Sequence, residues 1–177
     1  LGTASARPTS TRSVSGSVFS CQEGLVVIDA GEGFQMRYSK QRSRLKQENE
    51  PALLRPNRIV AVALTHGHLD HTWGLLPFLQ TLSLDGRQQP LVVYGPTSSL
   101  ILDALEAKGI DAKLPEDTPS AELLNQYRSW FSLGGTASHL GYPIRWLLGD
   151  PQSGRWVEFI DNATGLVWHD SMPQPDA

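Results

Sequence analysis

The spacing of apolar and polar positions changes period several times along this chain, and each change marks an element. Residues 17–21 (SVFSC) and 25–29 (LVVID) are short apolar runs separated by QEG, the pattern of a hairpin. DAGEG at 29–33 reads as a tight turn with two glycines, and residues 34–47 (FQMRYSKQRSRLKQ) have helix-forming composition. IVAVALT at 59–65 is almost continuously apolar, as in a strand buried on both faces. TWGLLPFLQTLSL predicts a helix in which Pro77 marks an early start or a kink. LVVYG at 91–95 predicts another strand. PTSSLILDALEAKG predicts a helix opened by Pro96 and Thr97 and stopped by Gly109. A shorter helix is expected over 119–129, capped by Thr118 or Ser120, and GYPIRWLLG, GRWVEFID and GLVWHD then read as strands. Strands and helices alternate early and strands dominate late, which favours a layered α/β domain over a bundle or a pure sandwich.

Composition narrows the class. At 177 residues the chain is one domain long and can bury a substantial core. Its 40% hydrophobic and 19% charged content fits a soluble globular protein. No apolar run approaches the ~20 residues that span a bilayer, so no membrane partner is expected. The opening LGTASARPTSTRS lacks the basic and apolar regions of a signal peptide. Cys21 is the single cysteine, which excludes an internal disulfide and a cysteine-based zinc site and fits a reducing, cytoplasmic setting. The net charge of −3 gives no global sign of nucleic-acid binding, but residues 37–58 hold seven Lys or Arg against Glu48 and Glu50. That stretch is either a solvated helix face or a local phosphate-binding patch.

The strongest chemical signal is THGHLDH at 65–71, where three of the five histidines and one aspartate fall within six positions at a strand end. His66 and His68 are two apart, so on an extended strand end both side chains point the same way. Asp70 and His71 follow after a turn at Leu69. Imidazole suits zinc, manganese or iron, and a carboxylate compensates the charge. Two such pairs suit two ions, which could activate water and polarise a phosphoryl oxygen.

THGHLDH resembles the HxHxDH motif of the metallo-β-lactamase superfamily, which builds dinuclear hydrolases on an αββα sandwich. LGTASARPTSTR, DAGEGFQ and GLLPFLQTLSLDGRQQPLVVYGP resemble, in order over residues 1–96, the LGT…PT..R, DCGEGTQ and GLPGLL…GR..PL.IYGP stretches of the ribonuclease Z family, the tRNA 3′-end endonucleases. The resemblance implies a partial αββα domain over 1–177, without its opening strand and its C-terminal portion. It implies two divalent ions, zinc first with manganese or iron as alternatives. His66 and His68 match ligands of the first ion; Asp70 and His71 match ligands of the second, with Asp70 also the proton acceptor. Asp29 matches a carboxylate that supports the metal-bound histidines from behind. SHLGYPIRW resembles the family's histidine segment and assigns His139 as a ligand. LVWHDSMPQPDA resembles LVYSGDTRPC and assigns Asp170 as the carboxylate bridging both ions, with His169 a neighbour of structural role. The late histidine of the family has no candidate here, and neither does a tRNA-gripping arm.

The activity so implied is removal of the 3′ trailer from precursor tRNA by phosphodiester hydrolysis, in a protein that is expected to be a homodimer. Arg12, Arg37, Lys40, Arg42, Arg44 and Lys46 are the candidates for gripping RNA. Two alternatives stand beside it. One is a phosphodiesterase for cyclic nucleotides or other small esters, and the other is a non-catalytic half-domain that binds RNA or a partner chain.

Overall fold

The computed structural model describes residues 1–2, 7, 9–119, 122–134, 137–159 and 165–174. Among these, seven strands form one sheet in chain order: β1 (Ser17–Ser20), β2 (Leu25–Ile28), β3 (Ile59–Ala63), β4 (Leu91–Pro96), β5 (Ile144–Gly149), β6 (Trp156–Phe159) and β7 (Leu166–His169). β1 pairs antiparallel with β2 as the expected hairpin. β2, β3, β4 and β5 run parallel, and β6 and β7 return antiparallel. The parallel centre explains the unbroken apolar runs IVAVA and LVVY, because strands inside such a sheet need apolar side chains on both faces.

Each parallel crossover uses a helix or helices: α1 (Phe34–Gln47) between β2 and β3; α2 (Leu69–Thr72) and α3 (Leu75–Leu84) between β3 and β4; and α4 (Ser99–Lys108), α5 (Leu123–Ser132) and α6 (Ala137–Leu140) between β4 and β5. α1 occupies the residues its composition indicated. Pro77 sits at the third position of α3, within the first turn where its missing N–H costs nothing, so it marks an early start. Two helix starts differ from the sequence reading. Pro96 belongs to β4, and α4 is capped by Ser98, whose Oγ accepts from Ile101 N. α5 begins at Leu123 and is capped by Glu122, whose carboxylate accepts from Leu124 N at 2.6 Å. Thr118 lies too far upstream to cap it, and Ser120 lies outside the described residues.

The main core packs the helices on one face of the sheet. Phe34 and Tyr38 of α1 meet Phe78 of α3 edge-on, with ring centroids 4.9 and 5.1 Å apart. Tyr127 of α5 stands among Phe131, Trp146 and Phe159, at 4.5, 5.7 and 4.6 Å. Buried Arg87 caps the carbonyls of Pro56 and Pro90 and lies over the Tyr142 ring, which fixes the turn before β4. The opposite face carries a smaller cluster of Ala61, Val92, Tyr94 and Leu147, with Val60 and Trp156 partly buried against it. No helix among the described residues is long and apolar enough to cross a membrane.

Tyr127 joins α5 to two strands, so Tyr127→Ala should lower stability by about 3–5 kcal/mol, the usual cost of deleting a buried aromatic ring. A urea denaturation midpoint reads this directly, and a loss below about 1 kcal/mol would show that the cluster repacks around the gap.

Candidate metal centre

All four parallel strands end at one edge of the sheet, and the ligand loop leaves β3 there. Asp29, the residue after β2, lies at the same edge in a left-handed conformation (φ 59°) and is 3% exposed. Its carboxylate accepts from Thr65 N at 2.8 Å, Thr65 Oγ1 at 3.0 Å, Ser15 Oγ at 3.0 Å and His71 Nδ1 at 2.6 Å. These bonds tie the β1–β2 hairpin to both ends of the HxHxDH loop. The backbone is laced as well: Ala30 N donates to His71 O at 2.8 Å and Gly74 N donates to Ala30 O at 2.7 Å. The close approach explains two glycines. A Cβ on Gly31 would stand 2.0 Å from Asp70 O, and one on Gly74 would stand 2.2 Å from Gly31 O.

The hydrogen bonds set the histidine tautomers. His71 gives its Nδ1 proton to Asp29, so Nε2 carries a lone pair and faces Asp70 Oδ2 at 3.5 Å. His66 Nδ1 lies 3.0 Å from Thr65 Oγ1, whose own proton goes to Asp29, so Nδ1 is the donor and Nε2 is left free. That Nε2 lies 3.1 Å from His68 Nδ1. Two nitrogens sharing a tetrahedral zinc ion stand about 3.3 Å apart, given Zn–N bonds of about 2.0–2.1 Å. The first pair therefore has the separation that one divalent ion requires, and Asp70 with His71 forms a second pair beside it. The rings of His66 and His71 lie 4.1 Å apart, so the two pairs adjoin. Partial burial, and then the neighbouring His71 and His68, hold the His66 imidazole below its usual pKa, which favours the neutral, ligating form. Among the described residues no three such side chains converge into one ready cage: the donors stand as two pairs.

The other sequence candidates are placed as follows. His139, on α6, lies in a separate cleft with Leu76, Pro77 and Trp130 and does not join the pairs. Asp170 follows β7, at the same edge as the ligand loop. Three strands stand between β7 and β3, so at about 4.8 Å per strand the two are roughly 19 Å apart along the sheet. Asp170 is exposed and is not brought to the pairs. His169 meets Glu158 at 3.2 Å, and Glu158 also accepts from Arg145 at 2.7 Å.

The basic residues follow α1 away from the centre. Its first residue, Phe34, donates to Gly31 O at the ligand loop, and its 14 residues carry it about 21 Å toward the opposite edge. Arg37, one turn in, donates to Ser13 Oγ at 3.2 Å. Arg42 pairs with Asp85 at 2.5 Å and Arg44 with Glu48 at 2.8 Å, while Lys40, Lys46 and Arg12 are exposed. The roles of Ser15 and Thr65 escaped the sequence reading. The signal for Thr65 is the THxH step itself, since a hydroxyl beside the first histidine can fix its tautomer, whereas Ser15 meets Asp29 only through the fold.

The metallo-beta-lactamase superfamily profile matches residues 17–123, and the chain belongs to that superfamily. Membership brings divalent-metal binding with it. The relatives bear out the narrower resemblance: ribonuclease Z of Pyrococcus furiosus is 31% identical over 153 residues, covering 82% of this chain and 46% of that protein. Ribonuclease Z of Exiguobacterium sp. is 41% identical over 99 residues, covering 54% and 28% respectively. Among solved structures, human tRNase Z, short form, superposes with a TM-score of 0.51 at 22% identity over 91% of this chain and 54% of that one, which supports the fold. The chain thus spans about half or less of the length of these relatives.

Removing the carboxylate behind the centre should loosen metal without touching a ligand. Asp29→Ala is expected to weaken zinc affinity about 10- to 100-fold, the range seen for partners of ligating histidines. A competition titration against a chromogenic chelator measures it, and affinity within twofold of the parent would remove Asp29 from the metal centre.

Proposed function

We propose that this chain carries the metal-binding half of a phosphodiester-cleaving endoribonuclease that removes the 3′ trailer from precursor tRNA. The observation that carries the reading is the His66–His68 nitrogen pair beside Asp70 and His71, locked by Asp29, in a chain whose relatives bear the name ribonuclease Z. His66, His68, Asp70 and His71 would hold two divalent ions, zinc in the first instance, with further donors completing each shell. When bound, such ions supply the positive charge that makes water nucleophilic and neutralises charge on the phosphoryl oxygens.

The chain's own groups divide the remaining work. Asp70, 23% exposed at its side chain, is open enough to orient the attacking water and take its proton. Asp29 and Thr65 hold the Nδ1 atoms of His71 and His66, which turns the Nε2 atom of each ring toward the centre. α1 offers cationic side chains that start one turn from the centre and extend along the backbone of a bound RNA. Arg12 adds a cation in the opening segment; Pro8 beside it lies outside the described residues. A homodimer in the cytoplasm is part of the same proposal, drawn from the resemblance.

Two measurements separate chemistry from grip. His68→Ala should abolish hydrolysis of a precursor tRNA and of a nitrophenyl phosphodiester alike, and Asp70→Ala should cut kcat at least about 100-fold while RNA affinity changes little. Turnover surviving in His68→Ala would end the metal mechanism, and equal losses of kcat and affinity would end the proton role of Asp70. Neutralising Arg42, Arg44 and Lys46 together should flatten the slope of log K against log salt by about 2–3, roughly 0.9 for each lost phosphate contact. An unaltered slope returns α1 to an ordinary solvated face.

A further inference from the structure

A cleft of about 370 Å³ opens directly beside His66 and Gly67, on the side toward α4 and α5. Its walls are apolar and stiff: Pro96, Leu100, Pro115 and Pro119 line it, and Leu100 at the rim is 67% exposed. Two polar groups interrupt this lining in an unusual way. Glu122 is 4% exposed; its Oε2 accepts from Leu124 N, but its Oε1 is buried without a hydrogen-bond partner. Thr97 Oγ1 is likewise buried, close beside that carboxyl, and neither atom has a partner at full hydrogen-bond geometry. Native proteins leave few buried polar atoms unmatched, and those that remain call for a reason such as a missing ligand. Burial is the main influence on Glu122 and pushes its pKa up, against the Leu124 N–H and Thr97.

The lining holds no lysine or arginine, and its charged members are the acids Asp117 and Glu122. It therefore does not suit a phosphate, which belongs at the ligand loop. A flat ring with apolar faces and a polar edge suits it, since enzymes that hold single bases stack them between apolar side chains and hydrogen-bond their edges. Gly67 brings the two regions close: a Cβ there would stand 3.0 Å from Glu122 Cα, so the ligand loop packs directly on the start of α5.

We propose that this cleft is a nucleobase pocket, in which Glu122 and Thr97 contact the edge of one base while its nucleotide's phosphate lies at the His66 loop. The pocket rests on the phosphodiesterase reading for its phosphate and adds a specificity element to it. Glu122 and Thr97 act here on base selection and take no part in the bond cleavage.

The test is calorimetric binding of AMP, CMP, GMP, UMP and ribose 5-phosphate to the zinc-loaded protein. At least one nucleotide should bind about tenfold tighter than ribose 5-phosphate, the worth of one well-made hydrogen bond with some apolar contact. Thr97→Val, which keeps the shape and removes the hydroxyl, should erase most of that gain. Glu122→Gln, which keeps the carbonyl that caps α5, should alter the ranking of the four bases. Thermal melts of both variants confirm that they fold. Nucleotides binding no tighter than ribose 5-phosphate, or a gain and ranking untouched by both substitutions, would overturn the pocket. Hydrolysis of a nitrophenyl phosphodiester by the same parent sample reports on the metal centre separately. Hydrolysis without a base gain overturns the pocket alone, and a base gain without hydrolysis overturns the phosphodiesterase reading alone.

Discussion

The buried Asp29 carboxylate is the constraint around which the centre is organised. A carboxylate at 3% exposure is costly unless its oxygens are matched, and here Ser15, Thr65 and His71 match them. The matching partners come from three separate stretches of chain, so one side chain fixes how the hairpin, the end of β3 and the start of α2 meet. Its left-handed backbone, φ 59°, is the unfavourable conformation that turns the chain from β2 into the DAGEG bend. Gly31 and Gly74 let the backbones approach closely enough for the carboxylate to reach. Histidine tautomers, ligand spacing and loop position are all downstream of these contacts.

Topology then decides what surrounds the centre. In open sheets with parallel strands, ligands collect beyond the carboxyl ends of the strands, where the crossover loops gather. β2 delivers Asp29 there, β3 delivers Thr65 and the histidines, and β4 delivers Thr97. α1 begins at this edge and runs back across the sheet, which places its cations near the centre at one end and remote from it at the other. The cleft beside His66 is bounded by Glu122, the cap of α5, which packs directly against Gly67.

What the sequence made legible was what depends on near neighbours. The strands, α1 and the metal loop are set by local period, local composition and a six-residue motif, and each appears where the pattern placed it. The start of α5 was misplaced because Thr118 is a good cap in isolation, whereas the buried Glu122 accepts from the helix in a context only the fold creates. Pro96 reads as a helix opener, yet the ladder to Gly149 holds it in β4. His139 and Asp170 depended on which distant strand lies beside which. Nothing in SHLGYP or LVWHD encodes the three strands between β7 and β3. Partners of Asp29 were hidden for the same reason: Ser15 and Thr65 are 50 residues apart in sequence and meet only through the carboxylate.

In the proposed function, the cationic helix would hold RNA without being committed to it. Arg42 and Arg44 already have acidic partners, Asp85 and Glu48, on exposed or half-exposed positions. Pairs of this kind contribute at most about 1 kcal/mol each, so a phosphate can displace the carboxylate at little cost. The displaced acids nevertheless remain nearby and repel the incoming backbone, which lowers the affinity below that of an unpaired patch of equal positive charge. Held this way, α1 would supply weak, salt-sensitive attraction along its length to the RNA of the proposed function. On the proposed function, strong and specific contacts would be left to the sheet edge, where the histidine pairs are fixed.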